Sequence, residues 1–222
     1  VDPNAPQPQP SATVAPLFAP VPVFNTEQIY VCNRDGYDLR PLTTREGLIY
    51  FYFAWAPDNH ALVALACRED EWEARESAHL VPGGRPRLVE TDGRERLLDD
   101  GLAEAPPVWS PDATKVATAF DTDVAIYDAT GDTPTAARIK LREPLLAASV
   151  AYDEKRLGAK KKGANPGSDM PVSFNPIVRL EWLLPETLFV QTGFVRKYPS
   201  ETVTNFLRWH ALHLSPQASL LS

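Results

Sequence analysis

The sequence predicts an all-β protein: a radial stack of small antiparallel sheets preceded by an extended, proline-rich N-terminal arm. Three observations predict this fold. Short apolar runs alternate with turn signals, helical periodicity is nearly absent, and a Trp-x-Pro-Asp element is repeated. The element reads "WAPD" at 55–58 and "WSPD" at 109–112, and an apolar run follows each copy within a few residues.

The first 24 residues form the arm, which contains seven prolines, no glycine and one charged residue. Because proline fixes φ and lacks an amide donor, this segment is predicted to be extended and polyproline-like. An arm with this many apolar side chains can lie along a partner or along its own domain, and a disordered tether is the alternative. We expect residues 1–24 to attach the protein to a partner. The apolar residues of the arm are Val14, Leu17, Phe18, Val21, Val23 and Phe24.

Residues 25–222 are predicted to form one β domain with a loop insertion near 155–171. Most of the predicted strands have four to eight residues, and Asp-Gly pairs at 35–36 and 92–93 predict hairpin turns. The segment "EDEWEARESAHL" is the best candidate for a short helix. The predicted strands are "QIYVCN", "DLRPLT", "YFYFAW", "ALVALACR", "RPRLVET", "ERLLDD", "PPVW", "KVATAF", "DVAIYD", "ARIKL", "VRLEW", "TLFVQTG" and "NFLRWHALHLS".

Three repeat units follow the same order of strand, turn, strand, loop, tryptophan element and strand. Trp55, Trp109 and Trp182 mark the units, and the longer second interval contains the loop insertion. We expect each tryptophan to end a strand and to fill the space between two packed sheets.

The proline and the aspartate of the element explain the turn that follows the tryptophan. Pro57 and Pro111 cannot donate a ladder hydrogen bond, so each is predicted to end its strand. Asp58 and Asp112 are predicted to hold the chain reversal through their own side chains. A stack of such units gives small sheets arranged around a centre.

At these residues the chain resembles the TolB-like, or WD40-like Pd, β-propeller repeats. The matching segments are "NRDGYDLRPLT" with "WAPD", and "ETDGRERLLDDG" with "WSPD"; the third copy, "WLLPE", departs from the pattern. The glycine that the family places after the aspartate is Asn59 in one copy and Ala113 in the other. Since a blade needs about four strands, the strand list supports about three blades. The resemblance therefore implies a small, irregular or partial propeller, unless further strands lie within 141–173.

Composition and motifs exclude several functions. The net charge of −7 argues against nucleic-acid binding, and no apolar run is long enough to span a membrane. No catalytic motif such as Gly-x-Ser-x-Gly is present. We predict no catalytic residue and no cofactor. The lysine run at the tip of the insertion is a candidate surface for an acidic partner and comprises Lys160, Lys161 and Lys162.

The sequence also lacks a convincing metal-binding pattern. His210 and His213 are three residues apart on a predicted strand, so they would point to opposite faces. Two further acidic pairs, at 99–100 and 121–123, lack the spacing of a calcium loop and are predicted to be turn residues. Cys32 and Cys67 are predicted to be small buried side chains, with a single disulfide between them as the alternative.

The sequence thus favours a noncatalytic module that binds other protein subunits. Because TolB-like repeats are common in bacterial envelope proteins, the resemblance implies an extracytoplasmic location, with the cytoplasm left open. The protein would act there as an accessory or structural subunit of a larger, membrane-associated assembly. The alternatives are a ligand-binding, sugar-binding or enzymatic propeller with a site in its central channel, and a fragment of a longer propeller protein.

Overall fold

A computed structural model describes residues 24–131, 136–145, 147, 176–196, 204–214 and 219–221. These residues form fourteen strands, the helix α1 (Glu69–Ser77) and a helical turn at 142–145. The strands make four antiparallel sheets, which confirms the all-β prediction. None of these sheets closes on itself within the described ranges.

The N-terminal sheet has two strands, β1 (Tyr30–Val31) and β2 (Arg40–Pro41). The predicted Asp-Gly turn joins them, with Gly36 at φ 82°, a conformation that glycine adopts without a Cβ clash. In the next repeat, the Asp-Gly turn at 92–93 joins the third and fourth strands of a four-stranded sheet. By their position at the equivalent turn, β1 and β2 correspond to those last two strands. The N-terminal sheet therefore represents the second half of a repeat.

The second sheet contains one complete repeat, and β4 is its most buried strand because apolar clusters cover both of its faces. The predicted helix is confirmed as α1, which connects β4 to β5. Glu71 on the helix accepts two hydrogen bonds from Arg85, at 2.7 and 2.8 Å, and these fix the helix to the sheet. The strands in order are β3 (Leu48–Trp55), β4 (Ala61–Arg68), β5 (Arg85–Glu90) and β6 (Glu95–Leu97).

Two further sheets follow with the same topology, each pairing consecutive strands in sequence order. The short final strand of the chain was not among the predicted strands. The third sheet comprises β7 (Val108–Trp109), β8 (Lys115–Phe120), β9 (Asp123–Asp128) and β10 (Ala136–Lys140). The C-terminal sheet comprises β11 (Ile177–Leu184), β12 (Thr187–Arg196), β13 (Thr204–His213) and β14 (Ser219–Leu221).

Three apolar clusters join consecutive sheets, so the sheets pack in series along the chain. The first cluster joins Ile29 and Leu42 of the N-terminal region to Leu62 and Val89 of the second sheet. The next cluster lies between the second and third sheets, and the last lies between the third and C-terminal sheets. Burial of apolar area at these three contacts is the main stabilising contribution.

A buried carboxylate also joins the N-terminal region to the second sheet. Glu95 accepts hydrogen bonds from the hydroxyl of Tyr50 at 3.0 Å and from Arg87 at 2.6 Å, and Arg45 lies 3.0 Å away. The Glu95 side chain is nearly inaccessible to solvent. Three partners satisfy its oxygens, which offsets the cost of removing the charge from water.

The two cysteines differ in environment, and both are free. Cys67 in β4 is buried as predicted, and burial, with a smaller effect from Glu71, raises the pKa of its thiol to about 11. The prediction of burial is wrong for Cys32, which is exposed because β1 ends at Val31 and the chain turns outward.

In the described part of the chain, no helix is both long and apolar enough to cross a bilayer. The predicted insertion at 155–171 and the lysines at 160–162 lie outside the described residues. So do the arm residues up to 23, including Leu17, Phe18, Val21 and Val23. Phe24 is half-buried, and its ring centroid lies 6.4 Å from that of Tyr30.

Candidate functional site

The second Trp-x-Pro-Asp element has the predicted structure. Trp109 is 6% exposed, and its indole N–H donates a hydrogen bond of 3.0 Å to the carbonyl of Ala54 in the preceding sheet. β7 ends at Trp109, shortly before Pro111. Asp112 accepts hydrogen bonds from the Ser110 hydroxyl at 2.6 Å and from the backbone and hydroxyl of Thr114. These hydrogen bonds, first that from Ser110, lower the pKa of Asp112 to about 2.

The first element forms the same turn but not the same packing. β3 ends at Trp55 before Pro57, and Asp58 accepts a hydrogen bond from the backbone N–H of His60 at 3.2 Å. The ring of His60 also bonds to Asp58, and this contact lowers the pKa of the carboxyl. Trp55, however, is 42% exposed, so the prediction that it fills the space between sheets is wrong.

The incomplete N-terminal sheet explains the exposure of Trp55. Trp109 packs against β3, which is the first strand of the preceding sheet. The sheet that precedes Trp55 consists of β1 and β2, which occupy the last two positions of a repeat. Among the described residues, no strand occupies the first position of that sheet, so Trp55 lacks the surface that buries Trp109.

The third tryptophan, Trp182, is buried between the third and C-terminal sheets, as predicted. The prediction that Trp182 ends its strand is wrong, because β11 continues to Leu184 and the turn forms at 185–186, where the displaced proline of "WLLPE" lies. Its indole nitrogen has no hydrogen-bond partner within the described ranges. Packing therefore places this side chain without the hydrogen bond that Trp109 makes.

An aromatic surface that the sequence analysis did not identify lies beside Trp55. We define the aromatic edge as Tyr52, Phe53 and Trp55, three exposed side chains on the edge strand β3. Phe51 pairs with Leu65 and Ala54 pairs with Val63, so the two residues between them oppose a single residue of β4. Tyr52 and Phe53 lie within this β-bulge, and Trp55 follows it in register with Leu62.

Tyr52 has φ 49°, a left-handed conformation that is costly for a large side chain. The preceding residue, Phe51, packs edge to face on Trp72 of α1, with the ring centroids 5.4 Å apart. This contact anchors one side of the bulge to the helix. The run "YFYFAW", which lacks strict alternation, is the only signal of this surface in the sequence.

A second exposed surface covers the C-terminal sheet on the side opposite its packed core. We define the outer face as Val178, Arg179, Leu207 and Trp209, of which Leu207 is 65% and Trp209 43% exposed. Arg179 pairs with Gln191, and Gln191 pairs with Trp209, so this row shares one side of the sheet. A bulge between Ile177 and Arg179 leaves both Val178 and Arg179 exposed.

Arg179 and Gly193 determine the charge and the shape of the outer face. The guanidinium of Arg179 lies 6.0 Å from the ring centroid of Trp209 and 2.8 Å from a carboxylate oxygen of Glu181. Gly193 pairs with Leu207, and a Cβ added there would lie 3.2 Å from Val178. The glycine thus lets Val178 lie close to the sheet.

The histidines of β13 are separated, as predicted. His210 is buried on the core side, where it bonds with the Thr192 hydroxyl at 3.1 Å. Burial, with a smaller effect from Arg208, lowers the pKa of His210. His213 lies 3.2 Å from the hydroxyl of Thr187. Across the described ranges, no three His, Cys, Asp or Glu side chains form a group that could hold a metal ion.

Asp99, Asp100 and Asp121 lie in turns or loops as predicted, whereas the prediction is wrong for Asp123, which is the first residue of β9. Asp99 accepts hydrogen bonds from Tyr127 at 2.7 Å, from Gly101 at 2.8 Å and from Arg138. Asp121 turns the chain between β8 and β9 with φ 54°. It lies beside an open cleft of about 740 Å³, where burial raises the pKa of its carboxyl. Arg142 and Lys140 also line the cleft, so its charges are mixed.

Comparisons of the chain with protein-family models, with curated proteins and with solved structures gave no match. The two exposed apolar surfaces and the mixed-charge cleft are therefore interpreted from their own geometry.

Proposed function

We propose that the protein is a noncatalytic protein-binding module whose outer face docks onto a partner protein with an apolar surface. The observation that supports this proposal is the exposed apolar face of the C-terminal sheet. In the second sheet the equivalent face is covered by the third sheet, and in the third sheet it is covered by the C-terminal sheet. The C-terminal sheet has the same strand order, but nothing in the described part of the chain covers its outer face.

The composition of this face suits protein binding. Tryptophan and arginine are the residues that most often carry binding energy, and here they lie side by side in Trp209 and Arg179. Leu207 and Val178 add apolar area around them, and each apolar side chain that becomes fully buried contributes roughly 1.5–3 kcal/mol. The ion pair of Arg179 with Glu181 supplies polar groups at the margin of the surface.

The series of sheets also supports a partial β-propeller of the TolB-like kind as our proposed architecture. In such a fold the partner would occupy the position of the next blade. An accessory or structural role in a larger envelope assembly follows from this proposal, with other protein subunits as partners. The ligand-binding or enzymatic alternative would instead use the cleft beside Asp121 or a central channel.

The test is affinity purification of the full-length protein from its native source under mild detergent, with two matched variants. We expect Trp209→Ala to lose a protein that co-purifies with the wild type in a fixed ratio. Leu39→Ala removes an exposed apolar side chain from the N-terminal region and should retain that protein. Circular dichroism checks that both variants are folded. A Trp209→Ala variant that retains the partner, or a wild type that purifies alone, would reject the proposal.

A further inference from the structure

The aromatic edge needs a partner of its own. Tyr52, Phe53 and Trp55 expose large rings on an edge strand, and an exposed apolar edge is prone to aggregation unless it is covered. The bulge at Tyr52 and Phe53 interrupts the regular register of β3, and a bulged edge strand is a poor template for regular strand pairing. An occupant must therefore pack against rings and does not need to form a continuous ladder of hydrogen bonds.

The N-terminal arm enters the domain at this same edge. The backbone N–H of Tyr50 in β3 donates a hydrogen bond of 3.0 Å to the carbonyl of Glu27. The amide of Gln28 donates to the carbonyl of Leu48 at 3.1 Å. These bonds place residues 27 and 28 beside the first half of β3, only a few residues from the aromatic edge.

The arm is long enough to cover the edge. From Tyr50 to Trp55 the strand extends roughly 16 Å at about 3.3 Å per residue. Residues 16–23 in a polyproline conformation extend roughly 25 Å at about 3.1 Å per residue. The arm therefore has spare length, even if several residues are used in changing direction near Phe24.

The chemistry of the two surfaces also matches. Proline-rich segments bind to surfaces lined with tyrosine, tryptophan and phenylalanine, where the pyrrolidine rings pack against aromatic faces. Pro16, Pro20 and Pro22 lack amide donors, so on a bulged edge without a regular ladder they leave no backbone N–H unpaired. A segment with restricted backbone freedom also loses less entropy when it docks.

We propose that residues 14–23 bind in a polyproline conformation to the aromatic edge of the same molecule. The sequence alone favoured a partner as the target of the arm, and the position of β3 beside residue 27 redirects that hypothesis to the protein's own domain. The docked arm then covers Trp55, just as β3 of the preceding sheet covers Trp109.

A spin label on the arm tests this proposal in the full-length chain. Cys32→Ser removes the exposed thiol, Cys67 is buried, and Ala19→Cys supplies the labelling site. The side-chain indole signals of ¹⁵N-labelled tryptophans report proximity, and Trp55→Phe assigns one of them. We expect the label to remove most of the Trp55 signal and to leave the signal of Trp209, two sheets away, unchanged.

An arm variant of the same length distinguishes docking on the aromatic edge from simple tethering close to it. Changing Pro16, Pro20 and Pro22 to serine keeps the length of the arm but removes its stiffness, and we expect the Trp55 signal to recover. Equal loss with both arms, or no loss with either, would overturn the proposal. Spin-labelled ¹⁴N protein mixed with unlabelled ¹⁵N protein should leave the Trp55 signal intact, whereas loss in this mixture would assign the arm to a second molecule.

Discussion

The two Trp-x-Pro-Asp elements have nearly the same backbone and opposite surroundings. In the first, Asn59 N–H donates to the Ala56 carbonyl at 2.9 Å. In the second, Ala113 N–H donates to the Ser110 carbonyl at 3.0 Å. Both turns place the residue after the aspartate at positive φ, 62° and 59° respectively. Yet Trp109 is buried, whereas Trp55 is 42% exposed.

This difference shows that the motif determines the turn and that the neighbouring sheet determines the burial. The proline and the aspartate act within a few residues, so both copies reverse the chain in the same way. The tryptophan needs the first strand of the preceding sheet, and only the second copy has one among the described residues. The first turn also contributes to the packing around Trp109, because the ring of His60 packs edge to face on it with the ring centroids 5.7 Å apart.

The largest expected effect is that of Trp109→Ala. Removal of this buried ring leaves a cavity and removes the hydrogen bond to the Ala54 carbonyl, so we expect the free energy of unfolding to fall by roughly 3–5 kcal/mol. Denaturant unfolding monitored by circular dichroism measures the loss. A loss below about 1 kcal/mol, which is typical of surface sites, would show that the ring is not part of the core.

Asp112→Ala should have a smaller and pH-dependent effect. We expect a loss of about 1 kcal/mol near neutral pH, at the lower end for a charged acceptor because solvent screens this exposed side chain. The folded-state pKa of about 2 lies below the ordinary value of 3.8. The stabilisation is therefore present above pH 3.8 and disappears as the pH falls through about 2.

Unfolding of the wild type and Asp112→Ala at a series of pH values checks this expectation. The two curves should converge in acid, and a constant difference would contradict the role of the ionised carboxylate. Asp58→Ala serves as the matched control in the first element. Its carboxyl is exposed and lacks the hydroxyl donors that surround Asp112, so we expect a smaller change in stability.

Trp55→Ala should separate the two tryptophans most directly. Because no sheet packs on this ring and the docked arm covers it only from the surface, we expect the free energy of unfolding to fall by roughly 1 kcal/mol, well below the loss for Trp109→Ala. The same denaturant titration as for Trp109→Ala measures it. A loss as large as that of Trp109→Ala would mean that further parts of the chain bury Trp55 completely.

The smallest expected effect concerns the residue at positive φ. Asn59→Ala would make the first turn like the second, and we expect a loss of up to about 1 kcal/mol because alanine tolerates the left-handed region poorly. Asn59→Gly is the control and should not be destabilised by this strain, since glycine has no Cβ. Equal stability of the alanine and glycine variants would remove strain as an explanation.

Local features of the fold could be predicted from the sequence. The strand positions, the turn at Gly36, the helix α1 and the turn bonds of Asp112 follow from residues close together in the chain. The exposure of Trp55 could not be predicted, because it depends on which strands of the preceding sheet are present.

The two exposed surfaces were harder to predict for a different reason. The bulge at Tyr52 breaks the two-residue alternation on which strand predictions rest, so the direction of each ring cannot be inferred from spacing. For Trp209 the alternation is regular, with Leu207 and Trp209 on one side and His210 and Leu212 more deeply buried. Both sides carry apolar residues, however, and only the packing identifies the exposed one.

The order of the strands has a consequence for the synthesis of this protein. Because strands within each sheet pair only with sequence neighbours, each sheet can form soon after its last strand leaves the ribosome, closing short loops at low entropic cost. The second sheet must then wait, with Val63 and Leu88 uncovered, until Val116 and Tyr127 of the third sheet have been synthesised. We expect the nascent chain to depend most on chaperones in this interval, just after β6 is complete.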